Sequence, residues 1–93
     1  MDLHTYVSER GMQTKLAQQI RAQPQLVWQW ANGIKPVPAD RCPDIERETA
    51  AKVTCEELRA DVRWHRVSDP AWPHPEGRPL IDVASQESTV AAN

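Results

Sequence analysis

The chain has few cysteines and no cluster of residues with the spacing of a metal site. Its 93 residues include two cysteines, Cys42 and Cys55, and three histidines. A small secreted domain held together by disulfides usually carries four or more cysteines. No close cysteine pair is present, and the spacing of His65 and His74 matches no zinc signature. We therefore expect both thiols to be buried and unpaired, and we expect neither a metal nor a cofactor.

Long apolar runs are also lacking. No stretch approaches the roughly 18 apolar residues that a membrane-spanning helix needs. The first residues, MDLH, have neither the basic stretch nor the apolar block of a secretory signal. A chain of 93 residues suits one small domain. We expect a cytoplasmic protein that does not bind or cross a membrane.

The motifs of catalytic sites are missing as well. The three glycines form no phosphate-binding loop, and no nucleophile elbow or group of histidines and acids is present. The acids Glu56, Glu57 and Asp61 have the positions of capping and surface residues, since nothing in the sequence indicates their burial. The sequence therefore favours a protein that is not an enzyme.

Net charge is −2, which by itself disfavours a nucleic-acid partner. The charges are unevenly distributed, however. Residues 1–35 contain four basic and two acidic side chains, whereas residues 36–64 contain five basic and seven acidic ones. Because local charge matters more than the total for such a partner, the first third of the chain is the place to look for a DNA-binding element.

The first sixty-odd residues have the pattern of five short helices joined by tight turns. Asp2 is a good cap for the first helix, and Thr54 with Glu57 forms a capping box for the fifth. Pro24 suits the first turn of the third helix, and Gly33 suits its left-handed end. The predicted bounds of helices 2 to 5 are about 13–20, 23–32, 39–49 and 54–61. Inside helix 4, we expect Cys42, Ile45 and Thr49 to face the core.

The composition changes after residue 65. Four prolines and Gly77 lie between residues 70 and 79, which excludes helix and predicts an extended path. From Val83 onward the chain offers little to bury, so that end is expected to be disordered. The prediction is thus an all-α domain over residues 1–65, followed by a proline-rich extended tail over residues 66–93 that is disordered toward its end.

The segment from Gln13 to Gly33 has the pattern of a helix-turn-helix unit. Such a unit needs a small residue where the two helices touch, apolar residues on both inner faces and a turn of three or four residues. Ala17 is the small residue, and residues 21–23 form the turn. The apolar residues of the inner faces are Leu16 and Ile20 on the first helix and Val27 and Trp30 on the second.

This segment resembles the Cro and repressor family of phage regulators, and more narrowly the YdaS-type Cro-like proteins, which are often described as antitoxins. Three further stretches carry the narrower resemblance: WANGIKPVPADRCPDIE at 30–46, TCEELRADVRW at 54–64 and DPAWP at 69–73. Together they cover about residues 3–73. The resemblance implies a lambda-repressor-like helix-turn-helix fold of five helices and a DNA-binding function.

One departure from the family pattern lies in the turn. The family usually has glycine followed by an aliphatic residue, whereas this chain has Arg21 and Ala22. A left-handed position costs a residue other than glycine roughly 1 kcal/mol or somewhat more. Either Arg21 accepts this strain or the turn has a different shape.

The resemblance also implies where operator DNA would bind. The third helix would enter the major groove of double-stranded DNA, with base-contacting residues at its turn end and on its outer face. Glutamine amides can pair with adenine N6 and N7. The candidate base-contacting residues are Gln23, Gln25, Trp28, Gln29 and Asn32. A solvated polar face would show the same glutamines. Trp28 could contact a thymine methyl group or a sugar, or it could lie half-buried against the helix that follows Gly33.

Flanking residues are candidates for contacts with phosphate, which fix the position of the protein without reading sequence. They are Thr14, Lys15, Lys35 and Arg41. Lys15 could instead be a solvated surface charge. A repressor of this type would bind a pseudo-palindromic operator as a homodimer.

The alternative function is that of an antitoxin or accessory factor that binds a protein partner through residues 69–80, DPAWPHPEGRPL. A proline-rich segment with a tryptophan can present a preformed ligand to an aromatic groove. The simpler interpretation is a spacer that packs Trp72 on the domain. The two functions are compatible, because antitoxins often repress their own promoters.

Overall fold

The computed structural model describes residues 1–81 of the chain. The helices are α1 (Leu3–Val7), α2 (Met12–Ile20), α3 (Pro24–Ala31), a short 3-10 helix (Ala39–Arg41), α4 (Cys42–Glu48) and α5 (Cys55–Leu58). Two strands follow, β1 (Trp64–Val67) and β2 (Arg78–Ile81). The disorder expected from Val83 onward lies outside the described residues.

The five α-helices surround one core of small and medium apolar side chains. The predicted inner faces are confirmed for α2, where Leu16, Ala17 and Ile20 are buried, and for α3, where Val27 and Trp30 are buried. The core is completed by Leu3, Val37, Cys42, Ile45, Val53 and Cys55. Both cysteines are free thiols, as expected. Among residues 1–81, no helix is long and apolar enough to cross a bilayer.

The fourth predicted helix is divided. A 3-10 turn over Ala39–Arg41 precedes α4, which begins at Cys42. The cause is Pro43, which has no N–H to donate to the carbonyl of Ala39 and would crowd it in a continuous α-helix. The Cys42 N–H donates to Ala39 instead, which tightens this turn. Ile45 and Thr49 are buried as predicted.

The capping box of α5 is confirmed, but the helix is shorter than predicted. Glu57 N–H donates to the Thr54 hydroxyl, and Thr54 N–H donates to the Glu57 carboxylate. The helix ends at Leu58, not at Asp61. The Arg59 guanidinium binds both carboxylate oxygens of Asp61 at 2.8 Å. Residues two apart do not face each other on a helix, so this pair fits the non-helical backbone after Leu58.

The all-α prediction is wrong in one respect, because a β-hairpin follows the helices. Strand β1 pairs with β2 in antiparallel register, with Trp64 opposite Ile81 and Val67 opposite Arg78. The prolines exclude helix but allow extended structure, and Pro79 lies opposite Arg66 in a two-stranded sheet where a missing N–H is tolerated. The extended path expected after residue 65 is present, but it folds back on itself.

Trp64 joins the hairpin to the helical core. Its side chain is half-buried against the core cluster, and its indole N–H donates to the Arg59 carbonyl at 3.1 Å. Strand β1 begins at Trp64 and so spans the domain boundary that the sequence places after residue 65. That boundary stays a prediction.

Candidate nucleic-acid interface

Helices α2 and α3 pack on each other through the residues predicted to face inward. Ala17 is fully buried, which allows the two backbones to approach. Leu16 and Ile20 on α2 and Val27 and Trp30 on α3 belong to the same core cluster. Their burial fixes the orientation of α3 and therefore determines which of its residues face solvent.

The turn between α2 and α3 has the strained residue that the sequence indicates. Arg21 is left-handed, with φ 57° and ψ 47°. The N–H of the next residue, Ala22, donates to the carbonyl of Ala17 at 2.9 Å, which closes the carboxyl end of α2 in the way that glycine usually does. Of the two possibilities, Arg21 therefore accepts the strain.

The outer face of α3 is polar and uncharged. Gln25, Trp28, Gln29 and Asn32 follow helical spacing on the side opposite Val27 and Trp30. Gln23, which caps the helix, is exposed, as are Gln25 and Asn32, while Gln29 is half-buried. Trp28 is 45% exposed, which fits both a contact with DNA and a half-buried position. The structure thus places all five base-contact candidates along α3 and its two caps.

Asn32 differs from the glutamines in being partly engaged. Its side-chain nitrogen donates to the carbonyl of Trp28 at 2.8 Å, one helical turn earlier. The following loop is held by Ile34 N–H, which donates to the Gln29 carbonyl at 2.9 Å. Asn32 therefore helps to end α3, and one of its two polar groups is already used.

The first turns of α2 and α3 lie side by side. The side-chain nitrogen of Gln13 donates to the carbonyl of Pro24 at 3.1 Å. Thr14 and Lys15 are exposed and follow Gln13 in the first turn of α2, so they belong to the end of the pair where Gln25 lies. Two phosphate candidates and a base candidate thus share one end of the helix pair.

The other two phosphate candidates lie elsewhere. Lys35 is exposed in the loop after α3. Arg41 lies at the carboxyl end of α2, where its guanidinium donates to the carbonyl of Ile20 at 2.6 Å. This bond satisfies a carbonyl at the helix end, so Arg41 has a structural role that the sequence did not indicate. It does not join Thr14 and Lys15.

A polar cluster around one buried carboxylate lies away from α3 and was missed in the sequence. We call it the Glu46 cluster, and it consists of Glu46, Arg66, Glu56 and Trp72. The Glu46 side chain is fully buried, and its two oxygens accept one bond each from Arg66 at 2.6 Å. They also accept bonds from the Trp72 indole at 2.6 Å and from the Cys55 N–H at 3.0 Å.

All five N–H groups of Arg66 are used in this cluster. Besides Glu46, the guanidinium contacts both oxygens of Glu56 and the carbonyl of Gly77. Burial alone raises the pKa of Glu46, but the bonds from Arg66, Trp72 and the Cys55 backbone outweigh burial and hold that pKa below its ordinary value. Because the hydrogen-bonding groups of Glu46 and Arg66 are all used within the protein, the cluster serves to hold the hairpin on the helices.

The remaining reactive side chains offer little chemistry. Burial raises the pKa of Cys42 to about 12 and raises that of Cys55 as well, so neither thiol is ionised near neutral pH. Within residues 1–81, no three histidine, cysteine or acidic side chains converge in a way that could hold a metal ion. The exposed face of α3 is therefore the main candidate for function in this part of the chain.

Comparison with known proteins gives one family match and one curated relative. A family model described as bacterial toxin YdaS matches residues 3–67. A protein of Escherichia coli (strain K12) named "Putative transcriptional regulator YdaS" is 46% identical over 54 residues. That alignment covers 58% of this chain and 55% of the relative, so the chain matches about half of that protein's length. No solved structure matches.

Proposed function

This chain belongs to the YdaS family, and we propose that it is a sequence-specific DNA-binding transcriptional regulator of the Cro type. In this proposal α2 and α3 form a helix-turn-helix, and α3 lies in the major groove of operator DNA. The name of the Escherichia coli relative supports the role of a regulator. The protein would act in the bacterial cytoplasm as a repressor and without catalysis.

The observation that carries the proposal is the division of α3 into two faces. Val27 and Trp30 are buried against α2, while Gln25 and Trp28 project into solvent from the opposite side. Glutamine side chains in this position can approach base edges, because an α-helix fits the width of the major groove. Gln23 and Gln29 would extend the same contact surface, and Asn32 would lie at its far end.

Phosphate contacts would come from the flanks of this surface. Lys15 and Thr14 share one end of the helix pair with Gln25, through the bond between Gln13 and Pro24. Lys35 would contact the backbone beyond the other end of α3. Arg41 is the weakest of the four candidates because its guanidinium already donates a hydrogen bond to the Ile20 carbonyl.

Two copies would bind one operator. An acidic protein with few cations near α3 gains little from bulk charge, so base contacts by two copies would supply the affinity. The half-sites of a pseudo-palindrome would then lie about 34–36 Å apart, which is one turn of the double helix.

Footprinting and electrophoretic titration on the DNA beside the protein's own gene test the proposal. We expect a symmetric protected site and sequence-selective binding that weakens with salt. Gln25→Ala should weaken binding on the order of tenfold. The control is Ser68→Ala, because Ser68 is an exposed polar residue just after β1, outside the proposed DNA surface. Binding that is equal on operator and unrelated DNA would refute the proposal.

The alternative of a protein partner for residues 69–80 has less support. The Trp72 indole donates to the buried Glu46 carboxylate, and residues 78–81 form strand β2. The segment is thus folded onto the domain, which supports the simpler interpretation of Trp72 as a packing residue. DNA binding by α3 and partner binding elsewhere remain compatible, and a pull-down with the full chain would test the second.

A further inference from the structure

The outer face of α3 contains no charged side chain. Helix residues 24–31 and both caps, Gln23 and Asn32, are neutral. The nearest exposed cations in sequence are Arg21, before the N-cap, and Lys35, after the helix. If α3 lies in the major groove, as the proposed function requires, its central contacts with bases are made by amides and by an indole.

This composition limits which base pairs the helix can favour. Guanine is most often recognised by arginine or lysine, which donate to O6 and N7, and cytosine by an acidic side chain that accepts from N4. Between Gln23 and Asn32, neither type of side chain is present. The amide of glutamine donates and accepts, which matches the N7 acceptor and the N6 donor of adenine.

Trp28 adds an apolar surface in the middle of this face. Its side chain is 45% exposed, and it lies one helical turn from both Gln25 and Asn32. The apolar group that bases present in the major groove is the C5-methyl of thymine. An exposed indole gains free energy by covering such a methyl group, since both surfaces leave water.

We propose that each operator half-site is centred on A·T base pairs, and that Trp28 determines this preference by packing against a thymine methyl group. The glutamines beside it would contact the adenines. This inference rests on the proposed function, because it assigns specificity to the same surface. It makes Trp28 a specificity-determining residue, whereas the lysines set affinity alone.

The test changes the DNA and leaves the protein intact. After footprinting, each thymine of the half-site is replaced singly by deoxyuridine, which removes only the methyl group. We expect at least one position at which the substitution weakens binding about fourfold, the effect of one buried methyl group. Replacing thymines outside the protected site should have no effect.

Two variants then assign the contact. Trp28→Ala should bind the thymine and uracil operators equally, because the surface that covers the methyl group is gone. Ile34→Ala is the matched control, since Ile34 is an apolar side chain 57% exposed just after α3. It should keep the sensitivity of the wild-type protein to uracil. Thermal unfolding of both variants checks that the fold is retained.

The outcomes separate the two claims. Absence of selective binding to any DNA would overturn the proposed function. Selective binding to a half-site in which every protected pair is G·C, or which tolerates uracil at every thymine, would overturn the inference and leave the proposed function standing. Sensitivity to uracil that persists in Trp28→Ala would show that another residue contacts the methyl group and would overturn the role of Trp28.

Discussion

Arg66 binds both carboxylate oxygens of Glu46, at 2.6 Å each, across 20 residues of sequence. The Glu46 side chain is fully buried, and that of Arg66 is only 10% exposed. Glu46 belongs to α4 and Arg66 to β1, so the pair ties the hairpin to the helices. Residues 66–81 are therefore a folded part of the protein, and a deletion that begins at residue 66 would remove a partner of a buried charge.

Replacing Arg66 should destabilise the protein strongly. Arg66→Ala leaves the buried Glu46 carboxylate with only Trp72 and the Cys55 N–H, and the loss of one partner of a buried ion pair costs about 3–5 kcal/mol. The free energy of unfolding in urea measures the effect. Arg47→Ala is the control, since Arg47 forms exposed pairs with Asp44 and Glu48 that should contribute less than about 1 kcal/mol. Equal losses in the two variants would contradict the assignment.

Stability should fall on acidification. The folded state holds the pKa of Glu46 below its ordinary value of 4.5, because hydrogen bonds from Arg66 and Trp72 outweigh the effect of burial. A lowered pKa stabilises the fold above the unfolded value, and this contribution disappears as pH falls through the folded value. Urea unfolding between pH 7 and pH 2 should therefore show a decline that sets in as pH approaches the ordinary value of 4.5. Glu46→Gln should be less stable at pH 7 and should show a shallower decline.

The hairpin should depend on Gly77. This glycine has φ +100°, and a Cβ at its position would overlap the carbonyl oxygen and carbon of Val67. Gly77→Ala should therefore cost about 3 kcal/mol or more, since backbone strain and a clash with backbone atoms act together. Gly11→Ala is the control, because Gly11 has φ +84° but open space around it. It should lose only about 1 kcal/mol in thermal unfolding.

Arg21→Gly should stabilise the protein. Arg21 is left-handed at the end of α2, and glycine removes a strain of about 1 kcal/mol there. The same substitution at Gln18, an exposed position inside α2, should have the opposite sign, because glycine in a helix interior costs roughly 1 kcal/mol. The melting temperature of Arg21→Gly should lie above that of the wild type, and the melting temperature of Gln18→Gly should lie below it. A loss of stability in Arg21→Gly would contradict this account.

Lys15 and Lys35 should contribute equally to the affinity for operator DNA and for unrelated DNA. If Lys15 contacts a phosphate, Lys15→Ala should reduce the slope of log K against log salt by about 1 and weaken operator and unrelated DNA alike. Lys35→Ala should behave similarly. Lys52→Ala provides the control, because Lys52 is exposed between α4 and α5, outside the proposed DNA surface. A titration over several salt concentrations separates these variants.

The sequence predicted the features that depend on neighbours along the chain. Asp2 caps α1, Thr54 and Glu57 form the capping box of α5, and Arg21 occupies the strained turn position. Each involves residues within a few positions of one another, where spacing determines contact. The two faces of α3 followed in the same way, because helical periodicity places Val27 and Trp30 opposite Gln25 and Trp28. Contact of that outer face with bases stays a prediction.

Only the tertiary structure decided how distant segments meet. The bond from Arg41 to Ile20 spans 21 residues and that from Trp72 to Glu46 spans 26. A pattern of prolines excludes helix but does not say which strands pair, and the charges of Glu46 and Arg66 are indistinguishable in sequence from solvated surface charges. Their pairing depends on the packing that buries Glu46, since a buried carboxylate must find hydrogen-bond donors wherever the fold brings them. Local chemistry thus determined the helices and the exposed face of α3, while burial decided the hairpin and the Glu46 cluster.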